Sequence, residues 1–128
     1  MRRRLAGGRV ARLATLGPDG APRLVPVCFV VERDLIHSAI DGKPKSTRRL
    51  ARLAAIARDS RVSLLVDEWS EDWSRLWWVR ADGRARVTEV EGSVAARLAA
   101  KYPQYRADPP AGPMIEIAVE RWTGWSAA

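Results

Sequence analysis

The sequence predicts a small, mainly β, antiparallel barrel with an α-helix inserted mid-chain. Short apolar runs recur at hairpin spacing, Gly- and Asp-rich turn signals separate them, and one central stretch repeats its apolar residues at helical intervals. The 128 residues suffice for one compact domain, read as residues 1–128. Hydrophobic residues are 47% and charged residues 29%, a balance that builds a core rather than a disordered coil.

Taken in order, a short helix can precede Gly7, and Val10–Leu16 reads as the first strand. Gly17-Pro18-Asp19-Gly20 turns the chain into the run from Pro22. Leu24–Val31 is apolar without alternation, so it needs cover on both faces: barrel interior on one, a subunit partner or ligand on the other. Pro26 removes a ladder donor there, which puts this strand at an edge or a bulge. Glu32-Arg33-Asp34 turns into Leu35–Ile40. A helix is expected over Ser46–Arg58, with Leu50, Leu53, Ala54 and Ala57 as its apolar stripe and Ser46 or Thr47 as N-cap. Val62–Val66 is the next strand. Ala81-Asp82-Gly83 reads as a hairpin turn between Leu76–Arg80 and Ala85–Val90. A second helix is expected over Ser93–Tyr102, with Val94 and Leu98 inward and Pro103 as its stop. Ile115, Ile117 and Val119 alternate with Glu116, Ala118 and Glu120 in the last strand, Met114–Trp122. The total is about six to seven strands and two or three helices.

The inventory excludes several chemistries. One cysteine, Cys28, makes no internal disulfide, and with one histidine, His37, it assembles no zinc cluster. A Ser-His-Asp device would need His37, which lies in a strand-like apolar run and reads better as a hydrogen-bonded core residue. No Gly-rich phosphate loop is present. The longest uncharged apolar run, Leu24–Val31, falls well short of the roughly 20 residues of a membrane helix. Arg2-Arg3-Arg4 resembles the start of a secretion signal, but Gly7, Gly8, Arg9 and Arg12 break the apolar core such a signal requires. The expectation is a cytoplasmic protein without membrane contact.

The formal charge of +7 favours anionic partners. Asp41-Gly42-Lys43-Pro44-Lys45-Ser46-Thr47-Arg48-Arg49 concentrates that preference by crowding cations at a helix start, where free N–H groups already carry partial positive charge. An anion held by those N–H groups, a Ser46 or Thr47 hydroxyl and the lysines would relieve the mismatch. Trp69, Trp73, Trp77 and Trp78 form a second cluster. Adjacent Trp77 and Trp78 on a strand face opposite ways, so one can fill the core while the other meets a partner or planar ligand. Their neighbours Asp67, Glu68, Glu71 and Asp72 would repel phosphates, which argues against a nucleic-acid platform.

In order and spacing, Arg9–Thr15 with its Gly-Pro-Asp-Gly turn, Pro22–Phe29, Asp41–Lys45, Arg61–Asp67 and Leu76–Gly83 resemble the pyridoxamine 5′-phosphate oxidase-like flavin and deazaflavin proteins. They are most similar to the small branch of probable coenzyme F420-dependent enzymes. The resemblance implies an FMN-binding-type split β-barrel and a homodimer with two cofactor sites at the subunit interface. It implies a tricyclic ring along Val25, Pro26, Val27 and Cys28, with the phosphate end toward Ser38, Ala39, Lys43, Lys45 and Thr47. Trp77, Trp78 and Arg80 would close the site from the partner chain. The implied activity is hydride transfer between F420, or alternatively FMN, and a small conjugated or aromatic acceptor. No dedicated catalytic residue is needed, because the cofactor carries the chemistry. The same fold also serves non-catalytic binding of haem or a tetrapyrrole, for which His37 is the one available imidazole.

Overall fold

The computed structural model describes residues 1–40 and 47–128, with residues 47–50 as backbone only. Among them, seven strands form one antiparallel sheet: β1 (Ala11–Leu16), β2 (Pro22–Val27), β3 (Val30–Glu32), β4 (Leu35–Ala39), β5 (Arg61–Glu68), β6 (Trp77–Thr88) and β7 (Met114–Ser126). Four α-helices accompany it: α1 (Arg2–Ala6), α2 (Thr47–Arg58), α3 (Gly92–Lys101) and α4 (Pro103–Ala107).

The spatial order is β2-β1-β5-β6-β7-β4-β3, so the two edge strands are consecutive in sequence. Laid flat, seven strands would hold their edges about 29 Å apart. The link from Val27 to Val30 spans at most about 11 Å. The sheet therefore curls until its rims meet, giving a barrel whose seam carries no ladder pairing between β2 and β3: a split barrel.

Alternation decides what fills it. Ala11, Leu13 and Thr15 of β1, Val62, Leu64 and Val66 of β5, and Val79, Ala81 and Ala85 of β6 are buried and form the interior with Phe29, Ile36, Ile115 and Ile117. A second cluster lies under α3, where Val94, Leu98 and Tyr102 meet Val30, Ala39 and Met114.

Two turns follow the sequence closely. Gly20 takes φ 77° between β1 and β2, and Arg33 takes φ 56° between β3 and β4. Pro26 lies on an edge strand, as its missing donor requires.

Three expectations need correction. The apolar run Leu24–Val31 is two strands, because the chain changes rims at Cys28–Phe29. The expected hairpin at Ala81-Asp82-Gly83 is instead the middle of one continuous strand, β6, paired with β5 and β7 on its two sides. Asp82–Gly83 marks a register shift against β7, a bulge rather than a turn. A Cβ on Gly83 would stand 2.1 Å from the carbonyl oxygen of Ala118, so close backbone approach explains this glycine. In α2, Ala55 and Ile56 are buried and Leu53 packs beside them, whereas Ala54 and Ala57 are exposed. The larger Ile56 side chain sets the buried face. Leu50 and Ser46 lie outside the side chains described. Pro103 ends α3 as expected and also opens α4, where its fixed φ suits the first helical position.

Candidate functional site

Among the described residues, strand β2 pairs with β1 on one side and with no strand on the other. Register with β1 sorts its side chains: Val25 stands opposite Leu13 and Val27 opposite Ala11, so both turn inward. Leu24 stands opposite Ala14 and Pro26 opposite Arg12, so both face outward. Val25 is half-buried, Val27 buried and Pro26 exposed. Cys28 follows the strand and packs against the cluster under α3.

Ser38 is buried on β4, and its hydroxyl donates to the Cys28 carbonyl at 2.8 Å. That bond joins the end of β2 to β4 and brings the expected ring-binding strand beside Ser38 and buried Ala39. Lys43 and Lys45 lie outside the described residues. Thr47 opens α2, and its side chain is not among those described.

Trp77 and Trp78 do face opposite ways. Trp77 packs against the interior cluster, with the Arg4 guanidinium 5.5 Å from its ring centre. Trp78 faces outward, and Arg80 lies 5.9 Å from its ring and donates to Asp82 at 3.1 Å. Trp78 and Arg80 join Arg12, Ala14, Leu24 and Leu65 around an outer concavity of about 530 Å³. The shelf is largely apolar, its rim carries Arg12, Arg80 and Asp67, and Leu24 is 71% exposed on it. Arg12, Leu24 and Leu65 were not among the expected site residues. The pairing registers of β1 with β2 and β5 place them on one outer face, and no sequence pattern in the unalternating β2 singles out Leu24.

The opposite rim is tied shut. Tyr102 is buried; its hydroxyl accepts from the Phe29 N–H at 3.1 Å, and its proton is shared between the carbonyls of Arg9 (3.1 Å) and Phe29 (3.2 Å). Burial raises its pKa. Lys101 donates to the carbonyls of Ala6 at 3.1 Å and Phe29 at 2.9 Å, and its ammonium lies 3.8 Å from the Phe29 ring centre. Burial, helped by nearby Arg9, lowers its pKa to about 8. Arg97 donates to the Val31 carbonyl and pairs with Glu32 at 2.9 Å.

His37 is buried on β4 and donates from Nε2 to Glu116 at 2.9 Å, while Arg86 donates to the other carboxylate oxygen at 2.8 Å. Burial opposes the charge on Glu116, but the bonds from His37 and Arg86 outweigh it and lower its pKa. His37 is thus a core residue, bonded across the sheet rather than offered at the surface. Among the described residues, no group of three or more His, Cys, Asp or Glu side chains is arranged to hold a metal ion, and no helix is long and apolar enough to cross a membrane.

No curated protein matches the chain significantly in sequence. Solved structures do match in shape. The conserved hypothetical protein Rv2991 from Mycobacterium tuberculosis superposes with a TM-score of 0.76 at 22% identity, over 96% of this chain and 80% of that one. The FAD-binding protein from Mycobacterium smegmatis gives 0.63 at 20% identity, over 96% and 88%. HutZ, the haem storage protein from Vibrio cholerae, gives 0.70 at 15% identity, over 94% and 87%. These likenesses establish the shared barrel. The sequence itself matches the family model described as pyridoxamine 5′-phosphate oxidase across residues 1–126, nearly its whole length. With the split barrel and its open β2 rim, that match makes the chain a member of the pyridoxamine 5′-phosphate oxidase family.

Proposed function

We propose that the chain is an F420 (deazaflavin)-dependent oxidoreductase that works as a homodimer and passes a hydride between the cofactor and a small conjugated or aromatic acceptor. One observation carries the reading: among the described residues the rim strand β2 has no partner strand on its outer side, and it borders a largely apolar shelf, open to the outside, whose rim carries Arg12 and Arg80 beside Asp67. Backbone groups on that rim that no described strand takes suit the polar edge of a flat heterocycle, and Leu24 and Trp78 suit its faces. Val25, Pro26, Val27 and Cys28 line the ring. Ser38 and Ala39 support the strand end, and Lys43, Lys45 and Thr47 take the phosphate. Trp78 and Arg80 complete the enclosure, while Trp77, expected there as well, packs against the interior instead.

The second copy is part of the reading. Leu24 and Trp125, 71% and 49% exposed, stand with Trp78 and Leu65 on the outer face of the sheet. Burying that face against its own copy excludes water from the ring and fixes the acceptor's approach. The cofactor, when bound, supplies the hydride chemistry; the protein supplies orientation and dryness, and no side chain is assigned as acid or base.

Flavin is the nearest alternative, supported by the FAD-binding proteins of Mycobacterium smegmatis and Mesorhizobium loti among the similar structures. The haem alternative, suggested by HutZ, draws no support from His37, which is buried and held by Glu116. Fluorescence titration with oxidised F420 and with FMN separates the readings. F420 is expected to bind more tightly and to be oxidised or reduced in the presence of a conjugated acceptor. Tight FMN binding without F420 affinity reverses the assignment.

A further inference from the structure

Lys101 ends α3 and takes no part in the proposed ring site. A lysine ammonium carries three N–H groups. Two of them go to the carbonyls of Ala6 and Phe29, at 3.1 and 2.9 Å, and among the described residues no acceptor takes the third. No described carboxylate pairs with it. The titratable groups that act on it are Arg9, whose guanidinium donates to the Lys101 carbonyl at 2.8 Å, and Cys28. The Tyr102 ring centre lies 5.2 Å away. Partial burial and a neighbouring cation both favour the neutral amine. As a neutral amine Lys101 keeps two N–H donors for its two carbonyls and gains a lone pair, so losing the proton strands neither carbonyl.

The same residue lines an open cavity of about 370 Å³. Its walls are Ala6 of α1, Val30 and Val31 of β3 and Ala100 of α3, and Arg97 completes it. Arg97 is fixed there by the Val31 carbonyl and by Glu32, which reaches it at 2.9 Å. Glu32 offsets part of its charge, but those two bonds leave other guanidinium N–H groups for an anion. An amine, small apolar walls and a guanidinium around one opening fit a short acyl group joined to a phosphate. The walls take the acyl carbons and the guanidinium takes the phosphate.

We infer that Lys101 is a modification site, where the amine is acylated by a small acyl phosphate that enters this cavity. The amine nitrogen forms a bond to the carbonyl carbon, and the bond from that carbon to the phosphate oxygen breaks. The electron pair leaves with inorganic phosphate, and the amine proton passes to water. The resulting amide has one N–H, so one of the two carbonyls loses its donor, and the cation over the Phe29 ring is gone. Acylation therefore loosens a tie that joins α1, α3 and the link between β2 and β3.

The test uses acetyl phosphate on the full native chain near neutral pH, with each site followed in time by peptide mass spectrometry. The chain has two other lysines, Lys43 and Lys45, which serve as internal references. Lys101 is expected to be acetylated about tenfold faster than either, and its rate levels off above about pH 8. In urea the three lysines react alike, and their rates keep climbing with pH. Ala100→Phe, at an exposed position of α3, narrows the cavity and leaves the carbonyls of Ala6 and Phe29 in place. It is expected to slow Lys101 several-fold while Lys43 and Lys45 keep their rates. Lys101 reacting no faster than the two references in the native chain overturns the assignment, and so does an unchanged Lys101 rate in Ala100→Phe. If that variant folds poorly, the native comparison and its pH profile decide the point.

Discussion

Strands β2 and β3 descend from one apolar stretch and edge the same sheet, yet they are finished differently. Around β3, α3 lays Val94 and Leu98 over Val30, Arg97 takes the Val31 carbonyl, and Tyr102 and Lys101 take both backbone groups of Phe29. Along β2, no described strand continues the ladder, and Leu24 and Pro26 look outward. Hydrophobicity alone does not separate the two halves. The difference lies in what the rest of the chain brings to each rim. One rim is sealed by a helix with its own polar ties; along the other, no described strand continues the ladder.

That contrast can be broken from the sealed side first. Leu98→Ala empties a fully buried position under α3 and is expected to cost about 2–5 kcal/mol, read as a lowered denaturation midpoint. A loss below about 1 kcal/mol would mean that α3 contributes little cover. Tyr102→Phe leaves the ring but strands the Phe29 N–H, and is expected to cost about 1–3 kcal/mol in the same measurement.

Lys101 sharpens the comparison through pH. Its pKa is about 8 when folded against an ordinary 10.5, so between those values the unfolded chain holds a proton that the folded one has released. Stability from this group therefore rises as pH climbs from about 8 toward 10.5, and is least below pH 8. Urea unfolding of native protein and Lys101→Met across that window should show the native chain gaining on the variant. A constant difference would refute the buried-ammonium account.

The open side gives the smallest stability effect. Leu24→Asp is expected to change folding stability by no more than about 0.5 kcal/mol, since the side chain is 71% exposed. On the proposed homodimer, it should nevertheless shift the protein from dimer to monomer in sedimentation. A variant that still dimerises would locate the subunit contact elsewhere.

Much of the fold was legible in the sequence because it depends on local pattern. Gly20 and the Glu32-Arg33-Asp34 turn placed two hairpins, and Pro26 placed an edge. Val94 and Leu98 placed the buried face of α3. What escaped depends on distant backbone. Asp82-Gly83 has the composition of a tight turn, and only the nearness of Ala118 shows it to be a bulge. Ile56 outweighed the alanines of α2 because of what lies beneath it. At the site, the opposed faces of Trp77 and Trp78 followed from strand geometry, and the bond from Ser38 to the Cys28 carbonyl links two residues expected near the cofactor. Arg12, Leu24 and Leu65 meet Trp78 only once β1, β2, β5 and β6 are side by side.

The two residues between β2 and β3 also constrain how the molecule folds. Each flanking hairpin, β1–β2 and β3–β4, can assemble from neighbouring sequence, but the short tether holds them at opposite ends of the eventual hydrogen-bonded order. Strands β5, β6 and β7 must then be threaded into the remaining gap through pairings such as Leu13 with Leu64 and Ile36 with Ile117, which join remote parts of the chain. Completion thus depends on sequence-distant contacts, which places refolding in the slow, millisecond-to-second range of β-rich domains rather than the microseconds of helical bundles.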